Sequence, residues 1–317
     1  MKTEGKIMKK ILFATTALVA TASVAAADVT FSGYGRFGVT YDETRDTAAT
    51  PTQNTQLDHR VRLIINAGAE SDNGMTFNAQ TRLQWDDVAQ GPEDTAGANN
   101  GATRGAVITV TKDALSLNIG NYSLAEAAGA SYWMGGLGYT GFIYANPRAA
   151  NGDVTTGNWA GAGDTQVAVQ YSNSGFGVGI ATSDDGAGID RNVLTLNYDL
   201  GGYGLGLTHQ ASNAAADAFD YTAVSITGKV AGASFGLYAD DYADGTSAFG
   251  VSVGYDIAAS TSITLIANTL DNNVAGDDDE TIGLSLNHDL GGGVSFGGGV
   301  AQVNGLTNAE AGIVFNF

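Results

Sequence analysis

The chain has 317 residues, 33 acidic against 14 basic side chains and a formal net charge of −19, a balance that disfavours nucleic acid and anionic lipid surfaces as partners. It contains no cysteine, which excludes a disulfide framework and thiolate metal sites. Its 45 glycines and 3 prolines suit many strands and turns without a collagen-like period, and no apolar stretch reaches the roughly 20 residues of a membrane helix.

Residues 1–27 read as an export signal. Lys6, Lys9 and Lys10 precede an apolar run over 11–24, and Ala25, Ala26 and Ala27 supply the small residues of a cleavage site before Asp28. The run is too short and alanine-rich to span a membrane, and Met8 with the two lysines after it already makes a complete positively charged start. Cleavage would remove four lysines and one glutamate, leaving a mature chain over 28–317 with about 10 basic and 32 acidic side chains.

From residue 28 onward one event repeats: some ten residues alternating apolar with small or polar, then a turn rich in Gly, Asn or Asp. Residues 29–41 put Val29, Phe31, Phe37, Val39 and Tyr41 on one face and Thr30, Ser32, Tyr34, Arg36 and Thr40 on the other. Over 57–69, Val61, Leu63, Ile65 and Ala67 point outward if Arg60, Arg62 and Asn66 point inward. Over 75–85, Met75, Phe77, Ala79, Leu83 and Trp85 oppose Thr76, Asn78, Gln80, Arg82 and Gln84. Further candidate strands cover 103–112, 115–120, 165–171, 175–182, 192–200, 203–210, 219–228, 233–239, 246–256, 260–269, 281–290 and 293–303. The last covers 308–317, with Ala309, Ala311, Ile313, Phe315 and Phe317 on one face and Glu310, Gly312, Val314 and Asn316 on the other. A soluble sandwich accounts for a few such strands with one wet face. Sixteen strands, at about 18 residues each with the connection, suit an all-β transmembrane antiparallel barrel whose last strand closes on the first.

The connections support closure. Short glycine-bearing turns at 71–74, 172–175, 199–202, 227–232 and 289–292 alternate with longer acidic segments at 42–56, 86–101, 183–190 and 271–280. The stretch 121–163 is far longer than an ordinary loop, so it reads as a functional insertion. It carries Glu126, Tyr132, Trp133, Tyr139, Phe142, Tyr144, Arg148, Asp153 and Trp159, and folding it into the lumen would narrow the pore and bury its aromatics. In a rival arrangement residues 138–145 form an extra strand pair, giving eighteen strands.

Seven of the mature chain's basic residues precede Asp113, and Arg36, Arg60, Arg62 and Arg82 fall on the polar face of the first three strands. An arginine on the lipid face costs about 2–4 kcal/mol at the midplane, so these belong inside, as a cationic wall or simply as solvated lumen residues. Opposed by Glu126 on the inserted loop, the wall would set a transverse field that sorts solutes by size and charge with no chemical step.

Chemistry of other kinds finds little support. His59, His209 and His288 sit on separate strands with no HExxH spacing, and His288 shares a face with Leu284, Leu286 and Leu290. The glycines at 291–293 lead into a strand rather than the helix a phosphate loop needs. Asp277, Asp278, Asp279 and Glu280 could draw calcium but lack EF-hand spacing, and read first as a solvated loop. An exported structural or adhesin-like all-β protein is the alternative reading.

These residues resemble the general porins of Gram-negative outer membranes, of the alphaproteobacterial type, over nearly the whole mature chain. The motifs are Asp28-Val-Thr-Phe-Ser-Gly-Tyr-Gly-Arg36, Asp199-Leu-Gly-Gly202, Asp289-Leu-Gly-Gly292 and Phe315-Asn-Phe317. The resemblance implies passive diffusion of small hydrophilic solutes and ions through a sixteen-stranded barrel. It also implies an eyelet loop beginning around Leu124-Ala-Glu-Ala-Ala128 and a wall cluster at Arg36, Arg60, Arg62 and Arg82. Phe317 would be an insertion mark for the barrel-assembly machinery, with Phe315 beside it. Homotrimers, contact with outer-membrane lipid and lipopolysaccharide, no required cofactor and calcium at acidic loops complete what the resemblance implies.

Overall fold

A segment with one lipid face and one watery face cannot leave its backbone groups unpaired in a bilayer, so such segments must hydrogen-bond to one another in a closed ring. The computed structural model describes residues 28–45, 53–86, 102–103, 105–120, 125, 128–129, 134–147, 165–184, 190–213, 220–271 and 279–317. The first strands are β1 (Asp28–Asp42), β2 (Thr55–Glu70), β3 (Thr76–Asp86), β4 (Ala102–Thr103), β5 (Val107–Lys112) and β6 (Leu115–Gly120). Then come β7 (Thr165–Asn173), β8 (Phe176–Asp184), β9 (Asp190–Leu200), β10 (Tyr203–Ser212), β11 (Tyr221–Val230) and β12 (Ala233–Tyr242). The series ends with β13 (Ser247–Ala258), β14 (Thr261–Asp271), β15 (Asp279–Gly291), β16 (Val294–Val303) and β17 (Leu306–Asn316).

Neighbouring segments pair antiparallel, and β17 returns to β1 with Phe37 opposite Ile313. β4 and β5 both lie along β3, with Thr103 opposite Leu83 and Val107 opposite Gln80. Four steps on one side match three on the other, so one residue is extra and the strand expected as continuous over 103–112 is interrupted by a bulge. Counted as one stave, the two pieces make a closed barrel of sixteen. The rival count of eighteen fails. Residues 138–145 contribute no strand, and a single bridge joins Gly136 to Tyr144, apart from the wall.

Alternation sets the two faces. Ile282 and Leu284 are 57% and 47% exposed, while Thr281 and Ser285 alternate with them and are buried. The same outward row recurs around the wall, and aromatic rings crowd the end where the termini lie: Tyr171, Phe176, Tyr198, Tyr203, Tyr255 and Phe296 are all exposed there. That much apolar surface would drive aggregation in water, and it matches the lipid belt and interfacial girdle of a membrane barrel. No helix among the described residues is long and apolar enough to cross a membrane.

The tight turns follow from their residues. Ser174–Gly175, Ala231–Gly232 and Asn304–Gly305 each have two successive positive φ angles, as a type I′ hairpin requires. β11 runs on to Val230, so the connection expected over 227–232 shrinks to Ala231 and Gly232. The Asn304–Gly305 turn joins β16 to β17 at the end away from the termini. Long and short connections therefore do not alternate strictly.

The best-packed interior lies inside the ring. Leu137, Ala145 and Asn146 of the inserted stretch are fully buried, together with Ile266 on the inner face of β14. Part of the lumen is thus filled by the chain's own loop.

Candidate pore constriction

The inner faces of β1 and β2 are built by period two and by their register. Arg36 on β1 stands directly opposite Arg60 on β2, and Tyr34 opposite Arg62. On β3, Gln84 faces Arg62, and Arg82 lies one inward step further along, opposite Ile64. The four arginines therefore share one stretch of inner wall. Arg62 donates from Nε to Gln84 Oε1 at 2.6 Å, and its guanidinium lies 5.1 Å from the centre of the Tyr34 ring. The Tyr34 hydroxyl also meets Arg60 Nη1 at 3.5 Å. Fixing a guanidinium against a ring and an amide holds a charge in place where a solvated lysine would swing freely.

Arg36 differs from its neighbours. Its Nε lies 3.1 Å from Asp58 Oδ2, a buried ion pair on the inner face. Arg36 is thus no simple member of a cationic patch, since a carboxylate of the same wall offsets it. Sequence reasoning passed over Asp58, although it has the parity of Arg60 and Arg62 and so had to face inward.

The inserted stretch meets this wall through its tip. The Tyr139 hydroxyl donates to Asp58 Oδ2 at 3.0 Å, in a contact spanning 81 positions of chain. Thr140 binds Glu310 on β17 twice, its amide donating to Oε1 at 2.7 Å and its hydroxyl to Oε2 at 2.5 Å. Burial first, and then the Asp58 carboxylate, push the Tyr139 phenol well above its ordinary value, so it stays protonated and remains a donor. Elsewhere Asn268 donates to the Tyr144 carbonyl at 2.7 Å and Asn197 to the Gly129 carbonyl at 2.8 Å, while Thr195 donates to the Ala128 carbonyl. Every one of these wall groups faces the lumen. Glu310 carried a visible signal too, as the one charged residue on the polar face of the last strand.

A polar inner wall, an apolar outer belt and a loop tied across the lumen together describe a constricted pore. The sequence profile of the family described as Gram-negative porin matches residues 14–308. The chain belongs to that family. Among relatives, this porin is 28% identical over 123 residues to a curated porin of Fuscovulum blasticum, a stretch covering 39% of each chain. In structure it resembles a variant of the Rh. blastica porin with a TM-score of 0.71 at 21% identity, covering 92% of this chain and 100% of that one. A triple mutant of Rhodopseudomonas blastica porin gives 0.70 with the same identity and coverage. Family membership assigns this porin to the outer membrane of a Gram-negative cell, and the structural likeness is to the fold.

Other expected site residues fall differently. Glu126, Asp277 and Asp278 lie outside the described residues, as do residues 1–27. Asp279 accepts from the Asn304 side-chain amide and the Glu280 amide donates to Asn304 Oδ1 at 2.8 Å, which ties the start of β15 to the neighbouring hairpin. Among the described residues no group of three or more His, Cys, Asp or Glu could hold a metal ion. Phe315 pairs with Gly35, and Phe317 exchanges two backbone hydrogen bonds with Gly33, at 2.9 and 3.0 Å, so both phenylalanines stand on the closing seam. His59 and His209 are exposed on the outer face, where His209 Nδ1 lies 2.9 Å from Thr222 Oγ1. His288 has the same outward parity and pairs with Thr261 at 2.8 Å.

Proposed function

We propose that this porin is a passive diffusion channel for small hydrophilic solutes and ions. The passage runs through the barrel and narrows between the inner wall of β1–β3 and the stretch 134–147. The observation that carries this reading is the tip held at Tyr139 and Thr140, because a loop fixed in the lumen leaves a bounded aqueous path beside it. Arg60, Arg62 and Arg82 supply the positive side of a transverse field. Arg36 and Asp58 form a local dipole beside them, and Glu126 is the acid assigned to the loop side. Solutes are sorted by size and by charge, and no bond is made or broken. Such a path uses no catalytic group, in keeping with a family of channels rather than enzymes, and the family match lends nothing to the adhesin-like alternative.

Single-channel recording in a planar bilayer tests this directly. Wild type should give stepwise conductance, and substitution of Arg60 and Arg62 together by alanine should shift the reversal potential in a salt gradient toward cations. If neither conductance nor reversal potential changed in the double variant, the cationic wall would be wrong.

The finer proposals follow the resemblance. Three copies assemble side by side in lipid and lipopolysaccharide after cleavage of residues 1–27 and delivery to the barrel-assembly machinery, with Phe317 as the mark. Passage needs no cofactor. Calcium at Asp277, Asp278, Asp279 and Glu280 would be an accessory ion, detectable as a calcium-dependent rise in the temperature at which the unboiled band is lost on a denaturing gel.

A further inference from the structure

Glycine weakens a strand, yet several lumen-facing wall positions in this porin are glycine. At three of them the loop's own main chain comes nearest to the space a side chain would need. A Cβ at Gly179 on β8 would fall on the Ala128 carbonyl, and one at Gly250 on β13 would fall on the Ala145 carbonyl. One at Gly297 on β16 would lie 3.0 Å from both Cα and Cβ of Tyr139. Nearby, the Tyr139 ring covers Gly38 and Gly312, which are paired across the β1–β17 seam, and Gly312 in turn pairs with Gly297. Backbone lying on backbone is the closest approach two chain segments can make. Only glycine permits it.

We propose that Gly179, Gly250 and Gly297 determine the size of the pore. They form a bare berth in which the loop rests at main-chain distance, and any added carbon displaces the loop from the wall into the passage. Hydrogen bonds donated by Thr195, Asn197 and Asn268 and accepted by Asp58 and Glu310 then hold the loop down in that berth. The inference rests on the channel reading above. It makes the wall glycines, which carry no charge and touch solute only indirectly, responsible for how much of the lumen stays open.

The test is single-channel conductance and the rate of uptake of uncharged sugars of increasing size into vesicles, for Gly250→Ala, Gly297→Ala and Gly177→Ala. Gly177 also faces the lumen, but a Cβ there meets only the Asn197 side chain, at 3.5 Å, and the strand carbonyl of Tyr171, at 3.9 Å, so it serves as the control. Only variants that show the heat-dependent gel shift of a folded barrel are compared. The berth variants should lose conductance and exclude smaller sugars than wild type, while Gly177→Ala should match wild type. Tyr139→Ala adds nothing to the wall and removes the ring from the berth; it should gain conductance, and it keeps the proposal testable if both berth variants fail to fold. Wild-type conductance and sugar cut-off in folded Gly250→Ala and Gly297→Ala, or in Tyr139→Ala, overturn the proposal. Absence of channels from wild-type protein would instead overturn the channel reading itself.

Discussion

One oxygen of Asp58 serves two partners: it lies 3.1 Å from Arg36 Nε as an ion pair and accepts a hydrogen bond from the Tyr139 hydroxyl at 3.0 Å. Removing one partner of a buried pair leaves the other charge uncompensated, at a cost of about 3–5 kcal/mol where water is excluded. Asp58→Asn should therefore lower the urea midpoint of the folded barrel in lipid, and the double variant with Arg36→Met should recover part of that loss. An unchanged midpoint in Asp58→Asn would show that the pair contributes nothing to stability. Tyr139 adds a pH dependence whose sign is fixed. Its phenol is held above the ordinary value near 10 in the folded state, so above that pH the unfolded chain has lost a proton that the folded one retains. The stabilisation is complete below about pH 10 and falls as pH rises beyond it. Wild type should lose thermal stability between about pH 10 and 11.5, relative to Tyr139→Phe, which has no proton to lose there; parallel curves for the two would remove Tyr139 from the account.

The strands were legible because lipid and water lie on opposite sides of each one. Phe31, Phe37, Val61 and Phe77, all read as outward or apolar-face positions of alternating segments, are exposed apolar residues of the belt. What local pattern could not show is where pairing breaks. The bulge between β4 and β5 arises from counting partners on β3, a non-local matter, and nothing in residues 102–112 alone announces it. The closing seam is likewise a property of two distant elements. The Phe315 ring covers Gly35 directly, so a ring on the last strand fills the space left by a missing side chain on the first. Phe315→Ala should cost about 0.2–1 kcal/mol as a lost cross-strand pair. Deletion of Phe317 should cost more, because it also removes both hydrogen bonds to Gly33. The refolded fraction on unboiled gels, in the order wild type, Phe315→Ala, Phe317 deletion, checks this ranking, and equal refolding of all three would mean the seam closes without them.

For the barrel as a whole, inside and outside carry different costs for the same substitution. Leu265 on β14 is 44% exposed on the outer face, and Thr264 beside it points inward. An arginine on the lipid side near the midplane costs about 2–4 kcal/mol, and one in the lumen far less. Leu265→Arg should therefore lower the urea midpoint strongly, while Thr264→Arg should leave it near wild type and shift ion selectivity toward anions; the reverse order would turn the barrel inside out. The loop links this closed wall to the passage. Its tip touches β16, β17, β1 and β2 through Tyr139 and Thr140, so the narrowing can form only once first and last strands have met.

By itself the sequence determined the alternation, a last aromatic strand in need of a partner and the inward arginines, while the choice of sixteen staves over eighteen came from the pairing of the closed sheet. The first three follow from a period of two read against lipid and water, which is local information. The tertiary structure alone decided that Arg36 is offset by Asp58, that Glu310 and Asp58 hold the loop rather than face it, and that glycines on separate strands form its berth. The hydrogen bonds that hold the loop join residues from 67 to 170 positions apart. Their partners are selected by how the closed barrel stacks its staves, and no periodicity within a single segment encodes that.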